Sequence, residues 1–322
     1  MKTVAIVQAR MGSTRLPDKV MKTVAGLPMI ELLLARLKAA EEIDQIVVAT
    51  SVDKRNQPLV EHVESLGYRC ERGSEQDVMQ RYLQAARASD ANVIVRITGD
   101  CPLVDPRLVD QVVREFRAAD VDYFSNVAPP SYPDGLDIEV FTLAALEQAA
   151  AETSDSFDHE HVTPYLRESK RFKTASTAYA DDLSGWRWTV DEPADLEVIR
   201  QVFDHFAPDH HFSWLKVKEL QQSKPQLFVA NQTLTRNEGA TMGTGQKLWK
   251  RAKQVIPGGN MLLSKRAEMF LPDLWPAYFS KAKGCTVWDM DGNQFTDMCI
   301  MGIGTNILGY GQEEVDDAVR GT

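Results

Sequence analysis

The sequence is sparing with cysteine, with long apolar runs and with positive charge, and each shortage excludes something. Its four cysteines (Cys70, Cys101, Cys285, Cys299) lie far apart with no C-x-x-C pair, so neither a disulfide framework nor a zinc knuckle is expected. Its apolar stretches, of which 28–37 is typical, are interrupted by charges such as Glu31 and Arg36 and fall short of the ~18–20 residues of a membrane span. The apolar run near the N-terminus is too short for a signal peptide and no small-residue cleavage site follows it, so a cytoplasmic location without membrane partners is expected. Lys and Arg number 36 against 46 Asp and Glu, a net charge of −10. Nine of each sign lie from Thr241 onward, so the first 240 residues hold 27 basic and 37 acidic side chains, the whole imbalance. An acidic domain repels a phosphate backbone, which argues against nucleic acid as a partner. Neither G-x-x-x-x-G-K-[ST] nor G-x-G-x-x-G occurs.

What is present is a regular alternation. Short β-branched runs (2–8, 45–50, 68–71, 92–98, 121–125) alternate with helical patterns (29–40, 57–66, 75–88, 106–118). That pace implies an α/β fold, a mostly parallel sheet with helices on both faces. Later, 136–141 alternates like an edge strand, 156–166 and 193–206 read as helices, and 186–190 as a strand between them. With a length of 322 residues, about two domains are expected. The boundaries read as a first domain over 1–230, a polar Gly/Thr-rich linker over 231–245 and a small segment over 246–322.

In open parallel sheets ligands bind beyond the carboxyl ends of the strands. Directly after the first strand runs Ala9-Arg10-Met11-Gly12-Ser13-Thr14-Arg15-Leu16-Pro17-Asp18-Lys19. Gly12 permits close backbone approach, and Ser13 and Thr14 offer hydroxyl and N–H groups. Arg10, Arg15 and Lys19 bring three positive charges into an acidic domain, enough to grip a triphosphate. Asp100 follows the strand 92–98 with Gly99 beside it to admit a ligand, and Asp191 follows 186–190. A pair of carboxylates joined by substrate phosphates suits Mg²⁺; for Asp191 a helix N-cap before Pro193 is the alternative. Asp77 and Arg81 stand at i, i+4, as either a surface ion pair or nucleotide contacts. Asp137 and Glu139 share one strand face, for sugar hydroxyls or for solvent. Asp158-His159-Glu160-His161 does not fit H-E-x-x-H, so zinc is not expected there.

These segments resemble a known family. The loop after the first strand is similar to the A-R-x-G-S-x-R-L-P-x-K signature of cytidylyltransferases that make CMP-activated acidic sugars, the spore-coat polysaccharide biosynthesis F-type branch above all. The likeness spans roughly residues 1–230 and continues through Arg72–Tyr82, Thr98–Val104, Gly135–Phe141 and Arg187–Leu196. It implies a Rossmann-like nucleotide-sugar transferase fold and Mg²⁺-dependent transfer from CTP to a sugar. The family's metal aspartates match Asp100 and Asp191. Ala9, Arg10, Gly12, Ser13, Thr14, Arg15, Lys19, Asp77 and Arg81 fall at the nucleotide. Asp137, Glu139 and His161 fall at the sugar substrate, with a dimer contact as the other role of the His161 segment and a homodimer allowed. Catalysis would then fall to Arg10, Arg15, Lys19 and Asp100.

Residues 248–259 and 282–293, followed by Ile307–Tyr310, resemble the opening of class III aminotransferases near glutamate-1-semialdehyde aminomutase. Those enzymes bind PLP on a lysine deep in a longer domain. Lys281 and Lys283, in a turn before a strand, do not match it, so PLP is not expected in this truncated segment.

Overall fold

Parity along the first strand sets the layers. In β1 (Thr3–Gln8) Ala5 and Val7 point into one apolar cluster, while Val4 and Ile6 point into a second. A strand buried on both faces needs helices on both, and the computed structural model supplies them. It describes residues 1–322 apart from 14, 235, 237–242, 261–262, 264–265, 272–274, 299–305 and 322. The chain divides into two units, Met1–Arg236 and Asn237–Thr322.

In the first unit, β2 (Thr23–Val24) and β3 (Leu27–Pro28) make a small hairpin after the loop. The main sheet adds β4 (Gln45–Ser51), β5 (Arg69–Gly73), β6 (Val93–Thr98), β7 (Tyr123–Ser125), β8 (Glu139–Thr142) and β9 (Thr174–Ser176), in the order β5-β4-β1-β6-β8-β7-β9. Six strands run one way and only β8 opposes its neighbours. Helices α1 (Met29–Leu37), α2 (Gln57–Ser65) and α4 (Pro106–Ala119) pack in the first cluster with α8 (Pro193–Phe206). The opposite face takes α3 (Val78–Ala88) and α5 (Leu143–Glu152). Local chemistry sets the starts: Asp105 accepts from the N–H groups of Arg107 and Leu108 ahead of α4, with Pro106 first in the helix.

Three expectations are corrected. The stretch 136–141 does not form an edge: β8 lies inside the sheet between β6 and β7, with Val140 in one cluster and Phe141 in the other. Its alternation therefore reflects two covered faces. Trp186–Val190 is no ladder strand; it makes a single parallel bridge between Asp134 and Arg187. The helix over 156–166 is broken into α6 (Ser156–His161) and α7 (Pro164–Glu168), because Val162 takes a φ of 74° and Pro164 restarts the helix.

The second unit holds the helix Thr244–Val255, an antiparallel sheet β10 (Phe279–Lys283), β11 (Thr286–Asp289) and β12 (Gln294–Thr296), and the helix Glu313–Arg320. Lys281 and Lys283 lie on β10 itself rather than in a turn before it. Its buried cluster is small: Trp249, Ala252 and Ala267. Among the described residues no helix is long and apolar enough to cross a membrane.

Candidate active site

The carboxyl end of β6 and the segment 186–190 meet through the main chain. Val190 donates its N–H to the carbonyl of Asp100 at 2.8 Å, and the Thr189 hydroxyl reaches the same oxygen at 3.3 Å. Gly99, expected to admit a ligand, does something else: a Cβ there would stand 2.9 Å from the Ala9 Cβ and the Gln8 carbonyl oxygen, so its bareness lets the ends of β1 and β6 close up. The loop is anchored in turn by Met11 N–H donating to the Asn56 side chain at 2.8 Å, and by Ser13 and Asp18 N–H donating to the Met11 carbonyl. Ser13 Oγ accepts from Leu16 N–H at 3.3 Å. Thr14 lies outside the described residues.

The result is a convergence on one cation. Lys19 Nζ donates to Asp100 Oδ2 and to Asp191 Oδ1, each at 2.8 Å. Burial works against this ammonium, but the two carboxylates outweigh it and raise its pKa above the ordinary lysine value. Burial would also raise Asp100, yet Lys19 holds it well below the usual carboxylate range. Arg15 joins from outside, 3.0 Å from Asp191 and 3.7 Å from Glu192. Arg187, unremarked in the sequence, lies behind Asp191 at 3.3 Å and also holds Asp134 at 3.1 Å and Asp195 at 2.8 Å. Only its place in the R-W-T-V-D-E-P stretch marked it. The N-cap alternative for Asp191 is removed: Glu192 caps α8, and Asp195 accepts the N–H groups of Asp191 and Glu192 at 2.9 Å.

The three cations of the loop do not form one cluster. Arg10 turns to the opposite flank and pairs with Glu75 at 2.7 Å, near Arg81. Asp77 and Arg81 form no pair with each other. Asp77 caps α3 by accepting from Gln80 N–H and pairs with His159 Nδ1 at 2.9 Å, while buried Arg81 donates to the Ser74 carbonyl. His159 Nε2 lies 3.1 Å from the Thr153 carbonyl, so both ring nitrogens are engaged within the protein. His161 lies tilted against Phe157 with ring centroids 4.4 Å apart.

Neither Asp137 nor Glu139 is an exposed polar position. Glu139 is buried, paired with Arg96 and bonded by the Tyr123 hydroxyl at 2.6 Å, which commits it to the interior. Asp137 precedes β8 and pairs with Arg236. The first residues assigned to a linker in fact belong here: buried Asn231 donates to Asp195 Oδ1 at 2.9 Å and to the Arg187 carbonyl at 3.1 Å. Burial pushes the Cys101 thiol up, and the charges of Asp100, Asp137 and Asp134 add to the rise.

Among the described residues no group of three or more His, Cys, Asp or Glu side chains is arranged to hold a metal. Asp100 and Asp191 nonetheless direct one oxygen each at a single cation, the Lys19 ammonium standing in. Hard oxygen donors of that number, completed by substrate phosphates, fit Mg²⁺.

A cytidylyltransferase family profile matches residues 4–205, more than half of the chain. The chain belongs to the cytidylyltransferase family. It is accordingly a nucleotidyltransferase enzyme. An uncharacterised protein of Methanocaldococcus jannaschii is 38% identical over 209 residues, 64% of this chain and 85% of the relative. The spore coat polysaccharide biosynthesis protein SpsF of Bacillus subtilis is 31% identical over 211 residues, 62% of this chain and 85% of the relative. A cytidylyltransferase structure from Leptospira borgpetersenii superposes with a TM-score of 0.68 at 32% identity, covering 71% of this chain and 97% of the other. These matches fit the Rossmann-like nucleotidyltransferase architecture of the first unit.

Proposed function

We propose that the enzyme transfers a cytidylyl group from CTP to a hydroxyl of an acidic or keto sugar, with Mg²⁺, releasing a CMP-sugar and pyrophosphate for surface polysaccharide synthesis. The observation that carries this reading is the convergence of Asp100 and Asp191 on one cation below a basic loop. The likeness to a protein named for spore coat polysaccharide biosynthesis supports a sugar acceptor. Asp100 and Asp191 would hold Mg²⁺, which when bound neutralises charge on phosphoryl oxygens.

The protein's own groups do the rest. The acceptor oxygen bonds the α-phosphorus while the α–β anhydride P–O bond breaks, pyrophosphate takes that electron pair, and the hydroxyl proton passes to water. Arg15 and Lys19 carry positive charge beside the carboxylates, where it offsets charge building on the leaving pyrophosphate. Arg10, with Arg81 behind it, supplies the nucleotide flank. Ala9, Gly12 and Ser13 belong to the same loop, Asp77 is assigned to the nucleotide by the family resemblance, and Asp137 serves the acceptor. Binding both substrates in line supplies much of the acceleration, and no covalent protein intermediate is needed.

Residues 246–322 are proposed as the opening of an aminotransferase-like segment with no PLP role of its own. A non-catalytic nucleotide-sugar binding module that scaffolds its fused partner is the competing reading. Pyrophosphate release with CTP, Mg²⁺ and a panel of keto-sugar acids tests the main reading. Stabilisation by CTP over UTP, GTP and ATP in a thermal-shift series tests the base, since ligand at 100 times its Kd adds roughly 2.7 kcal/mol. CTP binding with no turnover on the whole panel would leave only the binding domain.

A further inference from the structure

Every residue from 131 to 141 is buried except Asp137, whose side chain keeps 28% of its surface. The backbone around this carboxylate is fixed from both sides by one residue. The buried Asn126 side chain donates to the Leu136 carbonyl at 2.7 Å and accepts from Ile138 N–H at 2.8 Å. Gly135, with φ of +112°, lets the loop lie against Trp188 and Thr189, where a Cβ would come within 2.6 Å of backbone atoms. Asp137 is thus the one part-exposed carboxylate of a buried stretch, three positions after Asp134, which Arg187 ties to Asp191.

The charges around it are already allocated, with one exception in origin. Arg96 belongs to Glu139, and Arg187 to Asp134, Asp191 and Asp195. The cation bonded to Asp137 is Arg236, which donates from Nη2 to the carboxylate and from Nη1 to the Tyr132 carbonyl at 3.1 Å. Arg236 is the last residue of the first unit and lies 31 positions beyond the end of the family match at 205. A side chain from outside the shared stretch therefore holds the Asp137 carboxylate.

We propose that Arg236 is a positioning residue for the acceptor, holding the Asp137 carboxylate so that it accepts hydrogen bonds from the hydroxyl groups of a polyhydroxylated acceptor. This rests on the nucleotidyl-transfer reading above. A hydroxyl donating to an ionised, pre-aimed carboxylate makes a charge-assisted bond, stronger than one between neutral groups. Burial, and Glu139 after it, raise the Asp137 carboxyl above its ordinary value, and the Arg236 guanidinium is the main pull against them, ahead of Arg96; without it that opposition is largely lost. Both its charge and its aim then suffer. Arg236 bonds Asp137 and the Tyr132 carbonyl, whereas Arg10 pairs with Glu75 and Arg15 and Lys19 with Asp191, so the affinity for CTP is kept.

Steady-state kinetics on the full chain, with whichever keto-sugar acid of the panel the wild type turns over, tests this. Arg236→Ala is expected to raise the acceptor KM about tenfold or more while the KM for CTP stays within about twofold. Arg236→Lys, which keeps the charge but not the two-pronged geometry, should fall between. Asp137→Asn should raise the acceptor KM as well, and the Arg236→Ala/Asp137→Asn double variant should be no worse than Asp137→Asn alone, because the two residues act as one unit. An acceptor KM unchanged in Arg236→Ala, a parallel rise in both KM values, or additive effects in the double variant would overturn the role of Arg236. If Arg236→Ala does not fold, Arg236→Lys and Asp137→Asn carry the same comparison. Wild-type enzyme inactive on the whole panel would instead overturn the transfer reading, and this inference with it.

Discussion

The N–H of Val190 bonds the carbonyl of Asp100 at 2.8 Å, and this one main-chain contact sets Asp191 beside an aspartate 91 positions earlier in the chain. Lys19 then needs only to reach between them. The carboxylates come together without a ladder strand at 186–190, so the site depends on the loop 133–138 that supports this segment through Trp188 N–H to the Asp134 carbonyl.

Asp100→Asn and Asp191→Asn should each lower kcat at least about a hundredfold in the presence of Mg²⁺. The fold should persist, because Lys19 keeps one carboxylate partner in either variant. Circular dichroism checks the fold and pyrophosphate release the activity. A kcat within about threefold of wild type would remove the residue from any metal-binding role.

Arg15→Ala should weaken CTP more than CMP. Arg15 sits at the outer side of Asp191, 3.0 Å away, where the β- and γ-phosphates of a bound triphosphate would lie. Removing a charge-assisted contact from one end of the ligand is worth about 1.5–3 kcal/mol, roughly ten- to a hundredfold in Kd. Calorimetric titration with the two nucleotides measures the difference, and equal losses would place Arg15 away from the leaving group.

Asp134 supplies a pH test. Burial, and the charge of Asp137 next, push its carboxyl up to about 7 against the pull of Arg236 and Arg187. The unfolded chain returns it to about 3.9. Between those values the folded state binds more protons, so stability is fully present below about pH 4 and falls as the pH rises through 7. Asp134→Asn removes that slope while keeping an acceptor for Arg187. Thermal midpoints at pH 5 and pH 8 should therefore differ less in the variant than in the wild type. An identical difference in both would deny Asp134 its raised pKa.

The order of strands and helices was legible because burial on both faces of β1, β4 and β6 writes itself as apolar runs. The meeting of Lys19 with Asp100 was legible because both follow neighbouring parallel strands, β1 and β6; Asp191 was read from a strand at 186–190 that does not form, and the Val190 N–H bond to the Asp100 carbonyl brings it there instead. Arg187 and Arg236 were not legible. Arg236 finds Asp137 99 residues away, Arg187 joins Asp191 and Asp195 nearby to Asp134 53 residues away, and an arginine carries no periodic mark of being buried. The interior position of β8 escaped for a related reason: Val140 and Phe141 alternate between two cores, which in sequence looks like alternation between core and solvent. Arg10 was grouped with Arg15 and Lys19 by proximity in the chain, whereas the loop sends it to the other flank.

A chain ending after Arg236 should keep nucleotidyl transfer, and one ending after Ala230, the boundary read from composition, should not perform equally well. The second unit buries few apolar side chains among the described residues, chiefly Trp249, Ala252, Ala267 and Val287, and a segment of that size is marginal as a fold in its own right. The first unit, by contrast, takes Asn231 and Arg236 into its own bonding. Ending at 230 strips Asn231 from Asp195 and the Arg187 carbonyl, and Arg236 from Asp137. Leaving those buried partners short of a donor costs about 2 kcal/mol, on the order of 5 °C in Tm for a domain of this length. Melting curves and pyrophosphate release on the two truncations separate the cases. Equal stability in both would return 231–236 to the linker, and loss of transfer in the chain ending at Arg236 would make the second unit part of the enzyme.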